Sequence, residues 1–132
     1  MKKVEAVITP GRLEAVRESL VARGVQALSV TEVHGAGHEE RMTGCYRGTR
    51  YDIDLHPKVK LEIVVRDEDA MPIAYAIVRA ARTGRVGDGK VVIAPVEDAV
   101  RIRTGERGPA AVHDRIDADI EVPVEPRWAA LG

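Results

Sequence analysis

The residue types at positions 83–90 are those of a loop that binds an anion through its backbone. Glycine at three of these eight positions permits positive φ and lets backbone N–H groups approach a ligand closely. Lys90 adds a fixed positive charge at the end of the run. We call residues 83–90 the glycine turn, which reads Thr83-Gly84-Arg85-Val86-Gly87-Asp88-Gly89-Lys90. The pattern predicts a phosphate site, and the plain alternative is an ordinary turn between a helix and a strand.

Two arginines follow the glycine turn after an apolar run. Arg101 and Arg103 are separated by Ile102. Side chains alternate across a strand, so both guanidinium groups are expected on one face, where they can converge on one phosphate group. The alternative for this segment is a solvated basic strand.

Composition restricts the class of protein. A chain of 132 residues with 45% hydrophobic content fits one domain with a packed core. Its 20 basic and 21 acidic residues leave a net charge of −1, so we expect no direct binding of nucleic acid. Cys45 is the only cysteine, and we see neither a secretory signal nor an apolar run of about 20 residues that could insert into a membrane. A cytoplasmic protein is expected.

The first half of the chain predicts a strand, a helix and a second strand. Apolar residues alternate over 4–8 and then recur at helical spacing from about Arg12 to a terminating Gly24. The Val- and Thr-containing stretch 25–33 is β-like. From 35 to about 55 neither period is sustained, which predicts a long loop between strands 2 and 3. Connections of this length in compact domains are usually functional or disordered, so the loop is a candidate contact surface.

The second half predicts a strand, a helix and a strand. Over 58–65 apolar residues alternate with Lys58, Lys60 and Glu62, which are expected on the face opposite the core. A helix is expected from about Asp69, with Pro72 in its first turn, ending at Gly84, and 91–94 forms the last strand. The order βαββαβ indicates an α+β, ferredoxin-like fold in which both helices cover one face of an antiparallel sheet.

Several short blocks between Met1 and Val112 occur in an order and spacing that resembles the PII signal-transduction proteins. The blocks are Lys2-Lys3-Val4-Glu5-Ala6, Val30-Thr31-Glu32-Val33, Tyr46-Arg47-Gly48 with Tyr51, Pro57-Lys58-Val59-Lys60, Ala80-Ala81-Arg82-Thr83-Gly84, Gly87-Asp88-Gly89-Lys90 and Arg101-Ile102-Arg103-Thr104-Gly105-Glu106. The resemblance implies a homotrimer with ligand clefts between neighbouring subunits. It also implies a regulator of nitrogen or carbon metabolism that controls a transporter or metabolic enzyme through the long loop.

The resemblance further implies that an adenine nucleotide, ATP or ADP, lies between two subunits. One chain would hold the phosphates with Gly87, Asp88, Gly89 and Lys90, and its neighbour would contribute Arg101 and Arg103. Ser29 and Val64 would border the adenine. A threonine is usual where Ser29 stands, and the exchange keeps the hydroxyl.

By the same resemblance, a second effector would bind at Gly37, Glu39 and Lys58. Members that sense 2-oxoglutarate have a glutamine in place of Glu39 to help ligate Mg²⁺. A carboxylate still suits Mg²⁺, but it adds negative charge beside a triphosphate and a dianion. Three alternatives follow. The effector is 2-oxoglutarate, or it is a smaller anion such as bicarbonate, or the protein has no second anion and only discriminates among ATP, ADP and AMP.

Tyr51 matches the tyrosine that some bacterial members present for uridylylation. Arg50 departs in charge from the usual residue before it, so the alternatives are a modified tyrosine and an unmodified, exposed loop tyrosine.

A different class, a slow ATPase in which Glu39 or Asp88 positions water, lacks a dedicated motif. We therefore expect a binding protein and no enzyme.

Residues 113–132 extend beyond the usual end of the family, which divides the chain into a 1–112 domain and an extension. The extension is acidic and carries apolar residues at alternate positions, interrupted by Pro123 and Pro126. It is either a disordered tail or an edge strand anchored by Trp128 that folds toward a basic cleft or extends the trimer surface.

Overall fold

A four-stranded sheet and two helices form the main body of the protein, and two further strands form a separate hairpin. The computed structural model describes residues 1–35, 42–46, 49–53 and 55–112, with only the backbone described over 42–46 and 49–53. The strands are β1 (Lys2–Ile8), β2 (Ser29–Gly35), β3 (Met42–Tyr46), β4 (Thr49–Ile53), β5 (His56–Val65) and β6 (Gly89–Pro95). The helices are α1 (Leu13–Ala22) and α2 (Asp67–Ala81), with short 3-10 helices at Pro10–Arg12 and Gly108–Ala111.

The main sheet has the order β2-β5-β1-β6, and all its neighbouring strands are antiparallel. Both helices connect strands that are not adjacent in space, as the predicted βαββαβ order requires. The α+β, ferredoxin-like prediction is confirmed. Within the described ranges, neither helix is long and apolar enough to cross a membrane.

An aliphatic core lies between the sheet and the helices. Val4 pairs with Ile63 and Ala6 pairs with Leu61, so the alternating apolar positions of β1 and β5 share one face, as predicted. From the other side, α1 and α2 contribute fully buried branched side chains, among them Val16, Leu20, Ile73 and Ile77. Burying one such side chain contributes about 1.5 to 3 kcal/mol, so this core supplies most of the hydrophobic stabilisation of the fold.

The end of α1 explains why β2 begins later than the sequence indicates. Gly24 has a φ of 86°, and its N–H donates to the Val21 carbonyl. The N–H of Val25 donates to the Leu20 carbonyl, which completes a Schellman cap and buries Val25 in the core. Residues 25–28 therefore lie outside β2, and the prediction of a strand over 25–33 was wrong for its first four residues.

Helix α2 begins two residues before the predicted start. Three acidic residues, Asp67, Glu68 and Asp69, occupy its first turn, where negative charge is favourable. Pro72 consequently lies in the second turn, so its predicted place in the first turn was wrong. The helix ends at Ala81, ahead of Gly84, and the guanidinium group of Arg12 donates to the Ala80 carbonyl at this end.

The segment predicted as a long loop contains a β-hairpin. Strands β3 and β4 pair antiparallel from Met42 opposite Ile53 to Tyr46 opposite Thr49, with two residues between the strands. The prediction of no regular structure was wrong here, because Thr and Tyr on both sides of a two-residue link ending in glycine favour a hairpin. Residues 36–41, 47–48 and 54 lie outside the described residues. The 113–132 extension does too, so its two alternatives, a disordered tail and an edge strand, stay predictions.

Candidate functional site

The glycine turn connects the end of α2 to the start of β6. Gly84, Gly87 and Gly89 have φ values of 85°, 100° and 94°, so all three occupy the region that favours glycine. At Gly89 an added Cβ would lie 1.7 Å from the backbone oxygen of Val7. The turn therefore packs against the end of β1 as closely as backbone atoms allow.

Asp88 organises the glycine turn from within. One carboxylate oxygen accepts hydrogen bonds from the N–H groups of Thr83 and Gly84, both at 2.9 Å, and the other accepts from the Thr83 hydroxyl. Partial burial raises the pKa of Asp88, but the hydrogen bonds from Thr83 and Gly84 outweigh it and hold the pKa below its usual value. The side chain thus has a clear role inside the turn, while its predicted contact with a nucleotide stays a prediction.

Lys58 ties β5 to the glycine turn. Its ammonium group donates to the Gly87 carbonyl at 2.7 Å, and the residue is 6% exposed although it lies on the face opposite the core. A hydrogen bond to a charged donor is worth about 1.5 to 3 kcal/mol. The residue assigned to the second effector is therefore in direct contact with the loop assigned to phosphate.

The register of the sheet brings four predicted residues onto one face. Ser29 pairs with Glu62 and Lys90 pairs with Val7, and these partners alternate with the core positions of β5 and β1. The residues that face away from the helices therefore include Ser29, Lys58, Val64 and Lys90. Ser29 and Val64 are diagonal neighbours on β2 and β5. Lys90 lies on β6, at the opposite edge of the sheet from Ser29. Three strand spacings separate β6 from β2, which is about 14 Å at the usual spacing.

Residues 100–107, which we call the arginine turn, form a closed loop instead of the predicted strand. The N–H of Arg101 donates to the Glu106 carbonyl at 2.9 Å, and the N–H of Gly105, at a φ of 75°, donates to the Arg101 carbonyl at 2.8 Å. The expectation that Arg101 and Arg103 share a strand face was wrong, because turn hydrogen bonds around Gly105 replace a ladder. The Arg101 guanidinium lies 3.3 Å from a carboxylate oxygen of Glu106.

Asp98 closes the base of the arginine turn. Its carboxylate accepts from both Nε and Nη2 of Arg107 and from the N–H groups of Ala99 and Gly108. The hydrogen bond from Arg107 is the largest reason that the pKa of Asp98 lies below its usual value. Sequence reasoning missed this residue, since a pairing between residues nine positions apart leaves no short motif.

A small pocket lies behind the glycine turn, on the helix side. Its volume is about 190 Å³, and its lining is apolar apart from three side chains. The lining residues are Ile8, Ile77, Val78, Ala81, Arg82, Asp88, Gly89, Lys90 and Val91. Asp88, Gly89 and Lys90 line this pocket, but Ser29, Val64, Lys58, Arg101 and Arg103 do not, so it gathers only part of the predicted nucleotide site.

Several predicted site residues cannot be placed with the others. Gly37 and Glu39, assigned to the effector and to Mg²⁺, lie outside the described residues, as does the side chain of Tyr51. The backbone of Tyr51 belongs to β4 and pairs with Gly44. Among the side chains that the structure does describe, no group of three or more His, Cys, Asp or Glu could hold a metal ion.

The chain matches a sequence model of the family described as nitrogen regulatory protein P-II over residues 1–106. It is 54% identical over 112 residues to the nitrogen regulatory protein P-II of Cereibacter sphaeroides, and 48% identical to that of Rhizobium meliloti (strain 1021). Both alignments cover 85% of this chain and 100% of the relative. A nitrogen regulatory protein P-II 2 of Methanothermobacter thermautotrophicus is 50% identical, with 85% and 97% coverage. The family match contains the glycine turn and extends to Glu106.

Proposed function

Because this chain belongs to the nitrogen regulatory protein P-II family, we propose that it is a homotrimeric signal-transduction regulator that binds ATP or ADP between its subunits. Its cytoplasmic location, and the transporter or metabolic enzyme that it controls through the segment around β3 and β4, belong to the same proposal.

The observation that carries this proposal is the division of the predicted site between the two edges of one sheet. Ser29 lies on the edge strand β2 and Lys90 on the edge strand β6, and both face away from the helices. A single nucleotide bound within one chain would have to cross β5 and β1 to meet both. In a closed ring, the β2 edge of one copy approaches the β6 edge of the next, which unites the two halves in one cleft.

The chemistry of the two turns suits a polyphosphate. The glycine turn offers backbone N–H groups at positive φ together with Lys90, and the arginine turn offers the guanidinium groups of Arg101 and Arg103. Each charge-assisted hydrogen bond to phosphate contributes about 1.5 to 3 kcal/mol. Loss of one such contact is expected to weaken binding at least about tenfold.

The contact between Lys58 and Gly87 supports a link between the nucleotide and the second effector. An anion that draws the Lys58 ammonium toward itself removes a hydrogen bond from the glycine turn, so the two ligands influence each other through one side chain. We assign this effector site to Gly37, Glu39 and Lys58, with Glu39 as a ligand for Mg²⁺. The effector is 2-oxoglutarate or a smaller anion such as bicarbonate, or the protein responds to the adenine nucleotides alone.

The protein acts as a binding module and not as an enzyme. Asp88 uses both carboxylate oxygens inside the glycine turn, which disfavours it as the residue that positions water in an ATPase. ATP turnover by the wild type, compared with Lys90→Ala, tests this statement. Turnover that disappears in Lys90→Ala would identify an enzyme. For Tyr51, uridylylation and an unmodified loop tyrosine both stay open as alternatives.

Calorimetric titration with ATP and ADP tests the nucleotide site. Lys90→Ala and Arg103→Ala are each expected to lower the affinity at least about tenfold. Arg17→Ala is the matched control, because Arg17 lies on α1 and pairs with Glu14. Unchanged affinity in both site variants would remove the assignment, and a monomeric mass by light scattering at micromolar concentration would contradict the trimer.

A further inference from the structure

The arginine turn presents an apolar and cationic surface at its tip. Ile102 is fully exposed and Val100 is 58% exposed. Arg103 is exposed beside them, and it makes no hydrogen bond or ion pair within the described part of the chain. Removing an exposed isoleucine side chain from water is favourable, so a segment that covers Ile102 gains stability.

The composition of residues 113–132 is complementary to this surface. Five acidic and two basic residues give the segment a net charge of −3. Apolar residues stand at every second position from 116 to 124, and Asp117, Asp119 and Glu121 stand between them. An extended chain with this alternation has one apolar edge and one acidic edge.

The position and length of this segment allow it to return to the arginine turn. Arg107 closes the turn, the 3-10 helix Gly108–Ala111 follows, and the segment begins after Val112. Twenty extended residues span up to about 66 Å, which is more than the diameter of a domain of this size.

The relatives set this segment apart from the nucleotide site. The two bacterial proteins compared above are covered over their full length by 112 aligned residues, which leaves 20 of the 132 residues here outside the alignment. The family match ends at Glu106, so the surplus lies toward the end of the chain. The acidic and apolar residues of this segment are therefore an addition to the part of the chain that the relatives share.

We propose that residues 116–124 bind the arginine turn and compete with nucleotide phosphate for it. The apolar positions, Ile120 foremost, cover Ile102, and the intervening carboxylates face Arg103. This inference rests on the proposed nucleotide site, because the segment binds Arg103, a cation that we assign to that site. Tethering gives the segment a millimolar effective concentration, and exposed ion pairs are individually weak, so a reduction of nucleotide affinity of about three- to tenfold is expected.

Neutralising the acidic edge in the full chain tests the competition. The triple variant Asp117→Asn, Asp119→Asn, Glu121→Gln is expected to bind ATP about three- to tenfold more tightly than the wild type. The control variant Asp114→Asn, Glu125→Gln changes two charges outside the proposed contact and is expected to bind like the wild type. In an Arg103→Ala background the triple substitution is expected to gain nothing. Equal ATP affinity of wild type and triple variant overturns the competition.

A measurement without nucleotide keeps this test separate from that of the proposed function. Backbone amide signals of 100–107 in nucleotide-free protein are expected to shift between the wild type and the triple variant. Shifts confined to 113–132 overturn the docking, even if no nucleotide binds. Failure of the wild type to bind ATP, with shifts still present at 100–107, instead contradicts the nucleotide site and the competition while leaving the docking intact.

Discussion

At the scale of single residues, Gly89 has the strictest requirement. We predict that Gly89→Ala lowers the free energy of unfolding by about 2 to 5 kcal/mol, because it combines backbone strain at a φ of 94° with a clash against Val7. In Gly84→Ala the added Cβ meets no neighbouring atom, so this variant measures the backbone strain at a φ of 85° alone. We expect this strain to lower the free energy of unfolding by about 1 to 2 kcal/mol. Gly11→Ala has neither feature and is expected to be close to neutral. Urea denaturation gives all three values, and equal losses for Gly89 and Gly84 would contradict the close approach.

Asp88 makes the stability of the glycine turn depend on pH. Its pKa is lowered in the folded state, so the carboxylate contributes its full stabilisation above the unfolded pKa of about 4. That contribution is lost as pH falls through the lower, folded value. We predict that Asp88→Asn is less stable than the wild type at neutral pH and that the difference shrinks in acid. Urea denaturation at several pH values checks this, and a difference that is constant down to pH 2 would contradict it.

Glu39 tests the charge of the effector site. If the extra carboxylate repels a dianion, Glu39→Gln is expected to strengthen 2-oxoglutarate binding at saturating Mg-ATP by 1 to 2 kcal/mol, a factor of about 5 to 30. Adding Lys58→Ala is expected to abolish the gain. Titration of wild type, single and double variants decides between the effectors. Tight wild-type binding that Glu39→Gln leaves unchanged would contradict the charge argument, and no binding in any variant would favour another effector.

At the scale of elements, the strands and helices that face the core were predictable from the sequence. The alternation over β1 and β5 and the helical spacing in α1 follow directly from which side is buried. The hairpin of β3 and β4 and the arginine turn were not predicted. Their shape depends on hydrogen bonds between residues several positions apart, such as Arg101 with Glu106, and apolar periodicity carries no information about them.

The arginine turn should depend on Asp98 even though that residue is not assigned to the ligand. Asp98→Ala removes the acceptor for Arg107, Ala99 and Gly108, so the loop must be ordered at the moment of binding. We predict a loss of ATP affinity of about 1 to 2 kcal/mol, or 5- to 30-fold. Glu97→Ala changes the adjacent exposed carboxylate and is the control. Equal ATP affinity of Asp98→Ala and Glu97→Ala by calorimetry would contradict a positioning role.

At the scale of the whole molecule, the sheet has one face covered by helices and one that carries the predicted ligand residues. The second face bears ion pairs between Lys3 and Glu5 and between Lys60 and Glu62, at 3.3 and 3.1 Å. The sequence could predict which residues occupy this face, since alternation assigns them. It could not predict from one chain how copies assemble, because residues of the proposed cleft, such as Ser29 and Lys90, lie on opposite edges and are expected to meet only in an assembly.

The most direct test of an inter-subunit site is complementation in mixed trimers. Lys90→Ala chains retain Arg103 and Arg103→Ala chains retain Lys90, so a cleft between one chain of each kind can be intact. After denaturation and refolding of an equal mixture, about a quarter of the clefts are expected to recover wild-type ATP affinity, because random assembly pairs the two intact surfaces that often. Calorimetry would then show a tight class of sites that is absent from either variant alone. A mixture in which no tight sites appear, although light scattering shows trimers, would contradict the cleft between subunits.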